Sequence, residues 1–442
     1  MRAFDILATW IWNPWLVFFY IQIGLLLTFS TSFVAWRLIR KAVHSLVQSW
    51  KDRRSKSSPQ SYRHISQSRA FITALSASVG VGNIAGVSTA IHLGGPGALF
   101  WMWVSALLGM SLRMASVWLA MHFRDETLGT PRFATPMAYL ERLSPDWRWV
   151  AKLVAVLILV KGFVTANLIQ SNSVAHAFQN EFGGSHVIVA TLMALVVATI
   201  VLGGMRRIVD FSVSITPFII ILYMLVGLFI LFSDPEETLF QLRQVFQYAF
   251  TPYSVIGGVA GYTVLQSLQF GISRGIFSHG SGLGVEPFIQ AANDGDLKQA
   301  VSLAALVPLV DTLIVCSITG LIVLSYGDWS QINGAFLTVS AYDAAIGSFG
   351  RNMIVLLLIL FALTTIINWS YYAERCFEYL GGEKRQLLRW LFITVTFIGP
   401  FLSVKIVWYL ADILIALLLI SHLLPLLYLT LRYRFSMLKQ LY

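Results

Sequence analysis

The sequence predicts an all-α integral membrane protein of about 11 transmembrane helices: one leading helix, then two halves of five helices with opposite orientation and one broken helix each. Three observations predict it. Apolar runs of spanning length recur, Lys and Arg are distributed unevenly between them, and two glycine-rich interruptions fall at matching places. The chain is 57% hydrophobic and 12% charged, with a mean hydropathy of +0.72; soluble domains carry about 25% charged residues. Crossing hydrocarbon takes roughly 20 apolar residues.

The first run, about 13–36, is too long for a signal peptide and lacks a small-residue cleavage site, so it stays as a helix. A basic segment rich in Arg, Lys, Ser and Gln follows at 37–69. The first half holds spans at about 70–92, 98–122, 150–178, 186–203 and 211–232. The second holds spans at about 254–272, 300–325, 352–373, 387–404 and 407–431. The chain thus divides into 1–69 (helix and basic loop), 70–232 and 233–432 (the two repeats), and a tail, 433–442. Cys316 and Cys376 sit in separate helices and read as packing residues.

A net charge of +10 in a soluble protein would point to nucleic acid. Position excludes that here. With the N-terminus outside, 25 of the 31 Lys and Arg fall on the inner side. They lie in 37–69, in 124–152, at Arg206, Arg207, Arg274 and Lys298, in 375–389, and in the tail from Arg432. Arg2, Arg243, Arg351 and Lys405 fall opposite, while Arg113 and Lys161 lie within spans. This is the positive-inside pattern, with some attraction to anionic membrane lipid. No obligate protein partner is implied.

The second span carries SASVGVGNIAG (76–86) and the seventh SLQFGISRGIFSHGSGLGVEP (267–287). Close helix packing explains glycines alone. Asparagine in one stretch and Arg, Ser and His in the other point instead to unwound turns, which membrane depth tolerates only around protein or a water-filled cavity. Interrupted spans at corresponding places in two halves mark an inverted-repeat transporter and its binding site. Unwinding at Val79–Asn83 exposes amides at a positive helix end and carbonyls at a negative one. The amides suit a carboxylate and the carbonyls a small hard cation, so a zwitterion with sodium is the natural guest.

The residues also match a known pattern. GVGNIAGVSTAIHLGGPGALFWMWVSALLGM (80–110) closely resembles the signature of the alanine or glycine:cation symporter family, sodium–amino acid transporters of bacteria and archaea. The likeness continues through QSNS (170–173), GGMRRI (203–208), GISRGIFSHGSGLG (271–284), DTLIVCSITGLIVL (311–324) and FALTTIINWSYYAERCFEYLGG (361–382), ending near VWYLADI (407–413). It covers nearly all of the chain from about residue 12. The resemblance implies a leucine-transporter type fold, five plus five helices with one extra N-terminal helix, in a bacterial inner (plasma) membrane, and the Lys and Arg asymmetry puts the N-terminus periplasmic and the C-terminus cytoplasmic.

It also implies roles. The Val81 and Gly82 amides take the substrate carboxylate, Asn83 meets substrate or ion, and Gln170 contacts substrate. Phe270, Gly271 and Phe277 belong to the second break and shape the side-chain pocket. Thr364 and Thr365 complete a sodium site with carbonyls near Ala77 and Gly80. Three departures stand out: Val81 where the family has threonine, Ser278-His279-Gly280-Ser281-Gly282 where it has SNEAG, and Ala134-Thr135-Pro136-Met137 where it has GGPM. Glu286 is the candidate to replace the lost acid.

For the remaining polar residues the plain reading leads. Arg113 snorkels or pairs, and Lys161 either snorkels or faces the cavity. His92, His176 and His422 find ordinary polar partners, and His279 gains interest only from its break. Trp15, Trp101, Trp103 and Trp408 read as interfacial anchors. Asp and Glu are nearly absent from the spans, and no HExxH, GxSxG or paired-acid signature lies in one, which argues against a membrane enzyme. The expected function is sodium-coupled uptake of a small neutral amino acid, such as alanine or glycine. The alternatives are a proton-coupled or altered-substrate transporter of the same fold, or a channel or receptor-like membrane protein.

Overall fold

In hydrocarbon a lone segment satisfies its backbone only as a helix, and the chain is helical almost throughout. The computed structural model describes residues 12–52, 66–123, 135–143, 145–253, 263–290 and 296–442. Helix α1 (Pro14–Ser30) begins at Asn13, whose side chain accepts the amides of Trp15 and Leu16. Helix α2 (Ile39–Asp52) lies inside the basic segment. Helices α3 (Gln67–Ser78) and α4 (Ala85–Gly94) are two halves of one span, bent by 60°. Then come α5 (Gly97–His122), α6 (Trp149–Phe163), a π-helical turn Val164–Leu168, and α7 (Ile169–Phe182). The first half closes with α8 (His186–Val201) and α9 (Gly204–Ser233); α10 (Pro235–Tyr248) follows.

The second half opens with α11 (Val264–His279), whose chain continues through the non-helical stretch Gly280–Glu286 to a short helical turn, Pro287–Gln290. Helix α12 (Leu297–Pro308) runs through a π-helical segment, Leu309–Cys316, into α13 (Ser317–Tyr326). The last elements are α14 (Gly334–Tyr379), kinked at Ile346 and Gly347, α15 (Arg385–Ile398), α16 (Val404–Arg432) and α17 (Arg434–Leu441).

A helix occupies each of the eleven expected places. Among the described residues, six are long and apolar enough to cross a membrane, or eight when two bent pairs each count as one span. At α8 the shortfall is one of length, 16 residues, a rise of about 24 Å. Among the helical stretches outside the expected spans are α2, α10, α17 and the part of α14 before its kink. The residues at 254–262, where the seventh span was expected to begin, lie outside the described residues.

Packing gathers the elements into two groups. Helix α11 runs along α5 and α4, and α12 also packs on α5. Opposite them, α14 packs against α6, α7 and α9. The two breaks therefore face α6, α7 and α14 across the middle of the bundle. Helix α1 packs on α5 and α16, outside both groups.

Two surface assignments are corrected. Arg274 is not a loop cation: it is 5% exposed and pairs with Asp412, Nη1 to Oδ1 at 2.7 Å and Nη2 to Oδ2 at 2.8 Å. Trp408 is not an interfacial anchor either, because it stacks on Phe277 with ring centroids 4.9 Å apart. Trp15, 79% exposed, does face outward.

Candidate functional site

The first break begins where α3 stops at Ser78 and the chain becomes extended at Val79 and Gly80, before a short 3₁₀ turn at Val81–Asn83. Such a turn at membrane depth must have its backbone satisfied, and side chains from other helices do this. The Asn83 side chain accepts the Gly80 amide at 2.8 Å, and Gln170 Oε1 accepts the Val81 amide at 3.0 Å. Thr365 donates to the Val79 carbonyl at 3.1 Å, Thr319 to that of Asn83 at 2.6 Å, and Thr338 to that of Ile84 at 3.1 Å. Glycine is required at Gly80 by close approach: a Cβ there would lie 2.5 Å from the Thr365 hydroxyl.

The second break lies at Gly280–Glu286, later than expected. Gly280, Gly282 and Gly284 all have positive φ, the left-handed region, which ends α11 at Gly280 and keeps the stretch after it non-helical. Arg113 donates to the His279 carbonyl at 2.6 Å, and Glu286 Oε1 accepts the Gly282 amide at 2.7 Å. Ser116 donates to the other Glu286 oxygen at 3.2 Å. His422 Nδ1 lies 2.8 Å from the Gly282 carbonyl and its Nε2 lies 2.5 Å from the Tyr139 hydroxyl. Glu286, the candidate for the replacement acid, thus holds the backbone of this break.

A cavity lies between the breaks. Of the expected site residues, Ala77, Gly82, Gln170, Phe277 and Thr365 line it, joined by Ser78, Arg113, Lys161, Thr165, His279 and Trp369. A Cβ on Gly82 would meet the Phe277 ring at 3.0 Å.

Four expected positions are placed differently. Asn83 turns away from the cavity, its Nδ2 donating to the Asp311 carbonyl at 3.0 Å and to Oδ1 at 2.9 Å. The Thr364 hydroxyl bonds back to the Phe361 carbonyl at 2.9 Å, one turn earlier on its own helix. Phe270 and Gly271 lie within continuous α11 rather than in a break, and Gly271 is a packing residue: a Cβ there would be 2.4 Å from the Ala98 carbonyl oxygen. In addition, the Ala77 carbonyl accepts the Trp369 indole at 3.0 Å.

The sequence reading missed Asp311. This fully buried carboxylate in the π-helical segment takes Asn83 on one oxygen, and Ser278 at 2.7 Å and Thr312 at 2.8 Å on the other. An acid mid-span, three residues after Pro308, was the available signal. Asp311 and Asp412 are the two acids within the eleven expected spans.

Among the described residues, no group of three or more His, Cys, Asp or Glu could hold a metal ion. The oxygens at the first break are a different set. Hydroxyl and carbonyl groups, with Thr365 against Val79, suit a hard monovalent cation.

The profile of the sodium:alanine symporter family matches residues 1–440. A transporter of Haemophilus influenzae is 36% identical over 424 residues, covering 95% of this chain and 91% of that protein. The sodium/alanine symporter AgcS of Methanococcus maripaludis is 34% identical over 433 residues, 96% and 93% of the two chains. The probable sodium/glutamine symporter GlnT of Bacillus subtilis is 30% identical over 419 residues, 93% and 85% of the two. Two solved structures share the fold. A Na+-coupled sialic acid symporter matches with a TM-score of 0.54 at 13% identity, over 86% of this chain and 82% of that one. MhsT in complex with L-phenylalanine matches with a TM-score of 0.54 at 14% identity, over 87% and 100%. The fold is therefore of the leucine-transporter type, in a multi-pass membrane transport protein rather than an enzyme.

Proposed function

The chain belongs to the sodium:alanine symporter family, and on that premise we propose that it imports a small neutral amino acid, such as alanine or glycine, with sodium across a bacterial inner membrane. The observation that carries this reading is the first break. Its backbone groups are held by side chains that a ligand's own groups can replace, and it opens on the cavity lined by Gly82, Gln170 and Phe277. The amino acid sits against Gly82 and Phe277, with Gln170 and the Val81 amide at its polar end. Sodium, as the co-transported ion, takes the Val79 carbonyl and the Thr365 hydroxyl.

The test is uptake of a labelled amino-acid panel into proteoliposomes, with and without an inward sodium gradient. Alanine or glycine accumulation that follows the sodium gradient supports the reading. Accumulation driven by a proton gradient in sodium-free buffer would replace it with the proton-coupled alternative. Orientation is checked in intact cells: a cysteine at Gln331 is labelled by an impermeant reagent, and one at Glu383 is shielded.

A further inference from the structure

Two cationic side chains line the cavity, and among the described residues no carboxylate does. Arg113 and Lys161 are each 3% exposed. Arg113 spends one nitrogen on the His279 carbonyl, and its Nε is buried without a partner. The Lys161 ammonium lies 4.0 Å from the centroid of the Trp369 ring. The neighbouring carboxylates, Asp311 held by Asn83, Ser278 and Thr312, and Glu286 held by Gly282 and Ser116, keep their charge and act on Arg113, whereas among the described residues none acts on Lys161 in the same way. A ring face or a carbonyl returns only part of the hydration that a buried cation loses. Lys161 therefore leaves one negative charge wanting at this cavity. The amides near the cavity, Gly80 held by Asn83 and Val81 by Gln170, can exchange those partners for an anion but carry no net charge to balance it.

We propose that Lys161, with Arg113, forms an anion subsite in this cavity for one small monovalent group, supplied by the carboxylate of the amino acid or by free chloride. The subsite deepens the reading of this cavity as the amino-acid site and rests on it. Lys161 projects from the last turn of α6, just before the π-helical turn that leads to Gln170 on α7. The two residues thus give the cavity a charged contact and a neutral one from the same span.

The experiment is thermal stabilisation of the purified, detergent-solubilised protein by alanine, alaninamide and acetate, in sodium chloride and in sodium gluconate. Alanine and acetate should stabilise the wild type, and alaninamide should not. Lys161→Gln should raise the half-maximal alanine concentration at least tenfold and leave the sodium response unchanged; Lys161→Arg should keep most of the alanine response. With chloride as the occupant, gluconate should weaken alanine binding in the wild type and have no effect in Lys161→Gln. The proposal is overturned if monodisperse Lys161→Gln responds to alanine, acetate and chloride as the wild type does, or differs only in its sodium response. If Lys161→Gln does not fold, Lys161→Met, which preserves length and packing on Trp369, takes its place with the same expected losses. Lysine-dependent acetate or chloride binding in a protein that binds no amino acid would keep the subsite and remove the proposed function.

Discussion

The two broken helices face one cavity but are held by different chemistry. At the first break the backbone is satisfied by neutral partners: Asn83, Gln170, Thr365, Thr319 and Thr338. At the second it is held by a guanidinium, a carboxylate and an imidazole: Arg113, Glu286 and His422. A neutral hydrogen bond nets about 0.5–1.5 kcal/mol and one to a charged group about 1.5–3. The first break can therefore exchange its partners for a ligand's groups at small cost, while the second behaves as a clamp on the end of α11. Asp311 joins them, since one oxygen takes Asn83 and the other Ser278.

The largest expected effect comes from filling the first break. Gly82→Leu should abolish alanine binding, because even a Cβ there meets the Phe277 ring at 3.0 Å. Equilibrium binding on monodisperse protein checks this, and normal binding would remove the first break from the substrate site. Next is the joint between the breaks. Asp311→Ala removes the carboxylate that Ser278, Thr312 and one N–H of Asn83 donate to, Asn83 keeping the main-chain carbonyl, and should lower stability by about 3 kcal/mol, at roughly 1–3 kcal/mol per unsatisfied buried group. A cycle of Asn83→Ala and Ser278→Ala should show coupling above about 0.5 kcal/mol in thermal unfolding; strict additivity would mean that the breaks are energetically separate.

A smaller effect is expected at the clamp alone. Glu286→Ala should cost about 1–3 kcal/mol by stranding the Gly282 amide, with Glu286→Gln recovering part of it through its remaining carbonyl oxygen. If transport falls while unfolding is unchanged, Glu286 belongs to the cargo site and the clamp is wrongly assigned. The smallest effect separates the threonines. Thr365→Val should raise the sodium needed for half-maximal uptake severalfold, whereas Thr364→Val should leave it near the wild-type value, because Thr365 lines the cavity against the Val79 carbonyl while the Thr364 hydroxyl lies on Phe361 of its own helix. Equal effects would restore both hydroxyls to the ion.

Local rules reached far in this chain. Apolar run length places a helix at every expected span, and the glycines with Asn83 locate the first break within a residue or two, since both depend on sequence-local backbone chemistry. Gly82, Gln170, Phe277 and Thr365 were legible as cavity residues through the resemblance, and Glu286 through its spacing from the second break. Gly271 was not: its role is a close approach to Ala98 on α5, a contact between segments more than 170 residues apart. The rotation of Asn83 toward Asp311, the pairing of Arg274 with Asp412, and the meeting of Arg113 with Lys161 at one cavity are likewise products of tertiary packing. The sequence by itself determined that the chain is a membrane helix bundle with an interrupted span in each half, because hydrocarbon leaves the backbone no alternative. Only the tertiary structure decided which buried polar groups satisfy one another and which are left facing the cavity, because a side chain's partner depends on the helix packed against it and on the rotation that packing selects.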